Sequence, residues 1–206
     1  MPDLVQALGD RSADVRSAAV RSLGRLSASG SAEALLALSA AGRVPEAVVG
    51  EAILEIGTAA VPHLRDLLGH EDARIRAGAV QLIGLLGSAG DAAVLPDRLR
   101  DASAEVRAAA AGAAGRLGEE TGMDALIGLL DDRAPFVRTA AARALGQIGD
   151  ASAAEALLRV ARTDEFDPAS VAAGALARID PARVRAAAAA PDAGPHLHEA
   201  ADRLAL

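Results

Sequence analysis

The fold is decided by a stretch that returns along the chain, Val137-Arg138-Thr139-Ala140-Ala141-Ala142-Arg143-Ala144-Leu145-Gly146-Gln147-Ile148-Gly149. Related stretches open with the pairs Val15-Arg16, Ile75-Arg76 and Val106-Arg107. The steps between corresponding positions are 30, 30, 31, 31 and 31 residues, counted through Gly24, Leu54, Gly84, Gly115, Gly146 and Ala177. A constant period in this range predicts a stack of like structural units.

Each unit is predicted to hold two helices joined by a short turn. In the third unit, apolar residues recur at helical spacing over 59–69 and again over 73–86, where they cover a wide face typical of a buried helix. We therefore expect an all-α, right-handed α-solenoid of six to seven helix pairs in a single domain, residues 1–206. The repeats fall at approximately 2–27, 31–57, 59–87, 90–118, 121–149 and 151–180, with a degenerate pair at 181–206.

The composition excludes several classes of function. Apolar residues make up 51% of the 206 residues but aromatic residues only 1%, so alanine must fill much of the core. All 21 basic residues are Arg, which we attribute to a GC-rich genome, and the net charge is −7. A nucleic-acid partner is disfavoured because it needs a basic stripe and stacking aromatics. The absence of Cys excludes disulfides and thiolate metal sites. Without a signal-like start or an uncharged apolar run of about 18 residues, we expect a cytoplasmic protein and no membrane contact.

The repeated motif resembles a known family. Its elements are a turn Asp, a Val-Arg or Ile-Arg pair and a closing Leu-Gly-x-Leu/Ile-Gly, as in Asp101…Val106-Arg107…Gly118 and Asp132…Val137-Arg138…Gly149. The pattern resembles HEAT repeats, and more narrowly the short HEAT-like repeats named after the phycobilisome lyases. The resemblance implies the solenoid fold over nearly the whole chain and says little about function, because such repeats serve many purposes. The second and sixth repeats depart from it, with Ala40 and Thr163 in place of the turn Asp.

Acidic and basic residues recur at one spacing in three repeats, as Asp10/Arg16, Asp101/Arg107 and Asp132/Arg138. They could form a row of catalytic or ligand-binding charges. The alternative, which the resemblance favours, is that each Asp accepts hydrogen bonds from turn amides and from an Arg of its own or the adjacent repeat. A second row, Gly24, Gly84, Gly115 and Gly146, lies inside predicted helices, where Gly costs about 1 kcal/mol against Ala. This row predicts close contacts between helices of neighbouring repeats.

One face of the second helices is the candidate binding surface. Positions four apart share a helical face, and on this face the residues are polar or small and vary between repeats. In HEAT-like solenoids the second helices line the concave surface, which implies that a partner binds there. The candidate residues are Arg21, Arg25, Glu51, Glu55, Gln81, Leu85, Arg116, Arg143, Gln147 and Arg178.

Two further features are expected on this face. Ala77, Ala108 and Gly112 would leave a recess in its middle, and Arg116, Arg143 and Arg178 would form a positive wall facing Glu51 and Glu55. An ordinary solvated face is the alternative interpretation, and the sequence leaves the two open.

Recognisable reaction centres are missing from the sequence. His198-Glu199 resembles the His-Glu element of di-iron HEAT-repeat hydroxylases, but that family places it in several helices, and one copy cannot build the site. We therefore expect no metal, no cofactor and no catalytic residues. Phe136 and Phe166 lie beside predicted helix starts and are interpreted as turn-packing residues.

The sequence leaves two functions open. The first is a non-catalytic scaffold that binds a protein or peptide on the concave face. The second is an enzyme or enzyme subunit, lyase- or isomerase-like, that holds a small molecule in the recess, as the lyase resemblance implies, since those relatives handle a tetrapyrrole and often work as two-subunit assemblies. At the N-terminal end, the short helix with Leu4, Val5 and Leu8 is expected to fray or to be covered by a partner, in a dimer or a hetero-complex.

Overall fold

The computed structural model describes residues 2–26, 28–118, 122–191 and 193–205, and these residues form α-helices and short 3₁₀ turns with no β-strand. The helices are α1 Pro2–Ala7, α2 Ala13–Arg25, α3 Ala32–Ala40, α4 Glu46–Ile56, α5 Val61–Asp66, α6 Ala73–Leu86, α7 Leu95–Arg98, α8 Ala104–Leu117, α9 Met123–Gly128, α10 Pro135–Ile148, α11 Ala154–Thr163, α12 Phe166–Ile179, α13 Pro181–Ala188 and α14 Pro195–Arg203. Several first helices are extended by 3₁₀ turns, as at Gly57–Ala60, Leu67–Gly69 and Leu129–Asp131.

The helices alternate between the first and second members of the predicted pairs, and they group into two compact units. Unit 1, Met1–Asp91, holds the first three pairs, with α4 packed against both α2 and α6. Unit 2, Ala92–Leu206, holds the remaining pairs, and there α10 lies between α8 and α12, which also contacts α14. The predicted all-α solenoid architecture of stacked helix pairs is confirmed. The expectation that the chain is one domain stays a prediction.

Leucine, isoleucine and alanine form the core of each unit. Fully buried large side chains come from both members of a pair, such as Leu35 and Ile53 in unit 1 and Leu126 and Leu145 in unit 2. Between the second helices of unit 2 the buried residues are mostly alanines, among them Ala110, Ala111, Ala113, Ala114, Ala141, Ala142, Ala144, Ala172, Ala173 and Ala175. Small side chains let these helices approach closely, so the prediction that alanine fills the core is confirmed.

The glycine row marks the closest approach of adjacent second helices. A Cβ atom added to Gly115 would lie 2.8 Å from the Cα of Ala144, and one added to Gly146 would lie 2.9 Å from the Cα of Ala175. In unit 1 the same construction on Gly24 reaches the Cα of Ala52 at 2.8 Å. The predicted contacts between repeats are thus confirmed at these three glycines.

The recurrent charges join one repeat to the next. Arg107 donates from Nε and Nη2 to Asp132 Oδ2 and Oδ1 at 2.6 and 2.9 Å, and from Nη1 to the carbonyl of Asp101 at 2.8 Å. Arg138 makes the same fork on Asp164, at 2.5 and 2.7 Å. The structural interpretation of this row is therefore confirmed for Arg107 and Arg138. Arg16 instead donates from Nε and Nη2 to the backbone carbonyl of Arg43, since the second repeat has Ala40 in place of the turn Asp. The expectation that the sixth repeat lacks the turn carboxylate is wrong, because Asp164, one position after Thr163, supplies it.

One stretch, Glu46–Gly69, is long and apolar enough by composition to cross a membrane, with a mean hydropathy of 1.3. Core helices of soluble proteins share this length and hydropathy, so composition alone does not identify a membrane span. The stretch is also divided between α4 and α5 at Gly57, whose φ is 73°. Its apolar residues Ile53 and Leu64 are fully buried in unit 1, so we assign the stretch to the core.

Candidate functional site

All ten residues of the predicted surface are exposed in the structure. They belong to two faces, one on each unit. The second-helix face of unit 1 carries Arg21, Arg25, Glu51, Glu55, Gln81 and Leu85. The second-helix face of unit 2 carries Arg116, Arg143, Gln147 and Arg178. The predicted exposure is confirmed, and the role of these residues in binding stays a prediction.

The close packing of second helices positions the long side chains of the unit 2 face. Because Gly115 and Gly146 have no side chain, the last polar residue of the next helix can extend over them. The amide oxygen of Gln147 lies against Gly115, and Nη2 of Arg178 lies 2.8 Å from the place that a Cβ on Gly146 would take. Each side chain thus spans from its own helix to the preceding one, so the face is continuous across α8, α10 and α12.

The unit 2 face is positively charged. Beyond the first turn of α8, α10 and α12, the exposed charged residues are all Arg: Arg116, Arg143 and Arg178. In the part of the chain that the structure describes, neither Arg143 nor Arg178 has a carboxylate within 4.0 Å. Some arginines elsewhere in unit 2 have such partners, as Arg107 has in Asp132, whereas among the described residues Arg162 and Arg185 also lack a carboxylate within 4.0 Å. The guanidinium groups of Arg143 and Arg178 are therefore available to an external anion.

The pKa of Arg116 is shifted in the opposite direction from the pKa of Arg107 and Arg138. The hydrogen bonds that Arg107 and Arg138 donate to the carboxylates of Asp132 and Asp164 raise the pKa of both arginines above its ordinary value. Burial instead lowers the pKa of Arg116, whose guanidinium lies 3.6 Å from the place of a Cβ on Gly112. Part of the predicted recess at Gly112 is thus covered by this side chain.

The unit 1 face has mixed charge. Arg21 and Arg25 come from α2 and Glu51 and Glu55 from α4, and Oε2 of Glu55 lies 2.9 Å from the place of a Cβ on Gly24. Leu85, on α6, is 48% exposed. Opposite charges on neighbouring helices reduce the net charge of this face, in contrast to that of unit 2. The predicted recess with Ala77 and the predicted opposition of the arginine wall to Glu51 and Glu55 would join residues of both units, and they stay predictions.

Phe136 is a surface residue that the sequence interpretation missed. It is 51% exposed, so the expectation that it packs into a turn is wrong. It precedes Arg143 by seven residues and Gln147 by eleven, close to two and three helical turns, and therefore lies on the same side of α10. The helical spacing from Phe136 to Arg143 is the sequence signal that indicates this position. The side chain of Phe166 lies outside the described residues.

The described residues contain no group of three or more His, Asp and Glu side chains that could hold a metal ion. His198, which the sequence analysis considered as a ligand, has its Nδ1 3.1 Å from the carbonyl of Gly194. This contact belongs to the first turn of α14.

Family profiles match two parts of the chain. A profile described as HEAT repeats matches residues 92–177, and one described as HEAT repeat matches residues 1–29. Both matched segments contain the Val-Arg pair followed by the glycine of the helix contact. No curated protein sequence matches the chain.

Solved structures share the fold at low sequence identity. An engineered protein is 21% identical, with 98% of this chain and 93% of that chain covered and a TM-score of 0.57. The CpcE–CpcF complex of phycocyanin lyase from Nostoc sp. PCC7120 is 20% identical, with 98% and 74% covered and a TM-score of 0.57. A designed armadillo repeat protein in complex with the peptide (KR)4 is 22% identical, with 87% and 99% covered and a TM-score of 0.54.

Proposed function

Because this chain belongs to the HEAT-repeat family, we propose that it is a non-catalytic scaffold that holds a protein or peptide. The binding surface is the side of the second helices that the family resemblance predicts to be concave. One observation carries the proposal: the same helices that bury alanine and leucine on one side expose polar residues that vary from repeat to repeat on the other.

The comparisons support a binding role in general terms. The designed armadillo repeat protein has a similar fold and holds a peptide, (KR)4. A rigid helical framework loses little backbone conformational freedom on binding, which favours affinity. The proposed partners are therefore proteins or peptides, with no nucleic acid, no membrane and no cofactor, and the proposed location is the cytoplasm.

The alternative function is that of an enzyme or enzyme subunit, lyase- or isomerase-like, with a small molecule in the predicted recess. The observation that favours it is the fold shared with the CpcE–CpcF complex of phycocyanin lyase. In that case a partner subunit could supply the catalytic groups. A small-molecule site would need an apolar concavity with a few polar anchors.

The test is affinity purification from native lysate with the tagged chain and two charge-reversed variants. The first variant is Arg116→Glu with Arg143→Glu, on the unit 2 face. The matched control is Arg162→Glu with Arg185→Glu, which makes the same charge change on exposed residues of the first helices α11 and α13. We expect the first variant to lose the partner and the control to retain it.

Equal recovery of every partner by both variants would contradict the proposal for this face. Native mass spectrometry of the purified chain addresses the alternative function. A bound small molecule that is lost in the first variant, with no protein partner, would favour the enzyme interpretation. Circular dichroism of both variants confirms that they are folded before the results are compared.

A further inference from the structure

We infer that the second-helix face of unit 2 binds an extended acidic peptide segment that also carries an apolar side chain. The inference rests on the proposed scaffold function and specifies the chemistry of its partner. Arg143 and Arg178 receive the carboxylates, and Phe136 receives the apolar side chain.

The exposed charges on the unit 2 face change sign along the helices. The exposed acidic residues of α8 and α12 are Glu105 and Asp167, and both lie in the first turn of their helix. Glu105 accepts a hydrogen bond from the hydroxyl of Ser103, so it is occupied locally. From the middle of the helices to their C-terminal ends, the exposed charges are positive. A carboxylate that meets the guanidinium of Arg143 or Arg178 can form a bidentate pair without displacing a carboxylate of the described residues.

Phe136 is an exposed aromatic residue on the unit 2 face. The chain has only two Phe residues and no Trp or Tyr, yet this Phe is half exposed, on the same side of α10 as Arg143. Aromatic and Arg side chains are the types that contribute most to binding at protein interfaces. The step of seven residues from Phe136 to Arg143 corresponds to about 10 Å along the helix axis. An extended peptide covers this distance in about three residues.

The width of the unit 2 face suits an extended peptide. Packed helices lie about 8–10 Å apart, so the axes of α10 and α12 are separated by about three residues of extended chain. The guanidinium of Arg178 reaches over Gly146 of α10, so a segment of this length can contact both Arg143 and Arg178. Small residues flank α10 on both sides, with Ala109 and Gly112 on α8 and Gly174 on α12. A Cβ on Gly174 would meet nothing within 4 Å. A thin extended segment therefore fits across the face better than a bulky helix.

The charge of the face also distinguishes the partner from the peptide in a structural neighbour. The designed armadillo repeat protein is in complex with the basic peptide (KR)4. The unit 2 face has the same sign of charge as that peptide, so it would repel such a ligand. A nucleic acid is anionic too, but it would need more cations and stacking groups than this face offers.

The experiment measures binding of fluorescent octapeptides to the full chain by anisotropy. The acidic probe is Phe-(Asp-Glu)3-Phe, the charge-reversed probe is Phe-(Lys-Arg)3-Phe, and an eight-nucleotide oligothymidylate is the nucleic-acid probe. We expect saturable binding of the acidic probe alone, weakened as NaCl rises from 50 to 500 mM because screening reduces the charge contacts. We expect Arg143→Glu with Arg178→Glu to raise the Kd at least about tenfold, and Phe136→Ala about threefold or more.

The control variant Arg162→Glu with Arg185→Glu should bind the acidic probe with a Kd within about twofold of the parent chain, because salt screens exposed charges that do not contact the peptide. The inference is overturned if the acidic probe does not bind, if the control variant loses it equally, or if the basic probe or the oligonucleotide binds as well. If the arginine variant does not fold, Phe136→Ala and the salt series decide alone. If the parent chain does not bind the acidic probe but still captures a partner from lysate, this inference is overturned and the scaffold function still stands.

Discussion

At the scale of single residues, the side chains that hold repeats together are distinct from those that face the solvent. Asp132 caps its own turn by accepting from the amide of Ala134 and also accepts the fork of Arg107. The side chains of Arg107 and Asp132 are only 11% and 7% exposed. Removing the charge of Asp132 would leave a shielded guanidinium without its partner, which is costly.

We expect Asp132→Asn to lower the free energy of unfolding by about 2–4 kcal/mol, measured by urea denaturation. The neighbouring change Asp131→Asn is the matched control. Asp131 pairs with Arg159, but their side chains are 64% and 46% exposed, so its loss should cost less than about 1 kcal/mol. An equal decrease in the free energy of unfolding for the two variants would show that the Arg107–Asp132 pair does not join the repeats.

The same carboxylates set an acid limit on stability. Hydrogen bonds from Arg107 and Arg138 hold the pKa of Asp132 and Asp164 below its ordinary value. Their contribution to stability is therefore complete above the unfolded pKa, at pH about 4, and is lost as the pH falls through the folded pKa. We expect the melting temperature to fall below pH 4, and to fall less steeply in the double variant Asp132→Asn with Asp164→Asn. Parallel pH profiles for the two proteins would exclude these groups as the cause.

At the scale of helices, the distance between second helices depends on glycine. A Cβ on Gly115 would meet backbone of α10 at 2.8 Å, whereas one on Gly112 of the same helix would meet only the guanidinium of Arg116 at 3.6 Å. Both substitutions by Ala gain about 1 kcal/mol of helix propensity. We expect Gly112→Ala to be neutral or stabilising and Gly115→Ala to destabilise by about 1–3 kcal/mol through overpacking. Thermal unfolding checks both, and a stabilised Gly115→Ala would show that the helices can separate freely.

The helices were predictable because their signals repeat. The helix pairs, the glycine contacts and the row of Asp–Arg pairs each appear at several equivalent positions, so one imperfect copy does not hide them. Asp164 was missed because a constant step of 31 residues from Asp132 ends at Thr163. The long side chain of Arg138 reaches the carboxylate one residue further on. Phe136 was missed because it was interpreted from its place beside a predicted helix start, without its helical spacing to Arg143. The division into two units was not predicted, because the repeat pattern continues through residue 91 and its step changes there only from 30 to 31 residues.

At the scale of the whole molecule, each repeat contacts mainly its neighbours, so stability is close to a sum of repeat and interface terms. The helix pair at the N-terminal end has Val5 and Val15 52% and 41% exposed, while Leu8 is buried. We expect amides 4–8 of the isolated chain to exchange hydrogen faster than those of α10, and a partner at this end to slow them. A monomer with strong protection at these amides would contradict the prediction.

The central claim is that the exposed side of the second helices is where a partner is held. The most direct measurement places a photo-crosslinking amino acid at Gln147, on the unit 2 face, or at Arg162, on the first helix α11, both of which are exposed. After irradiation in native lysate, we predict a discrete protein or peptide adduct from position 147 and none from position 162. Adducts from position 162 alone, or the same adducts from both positions, would contradict the claim.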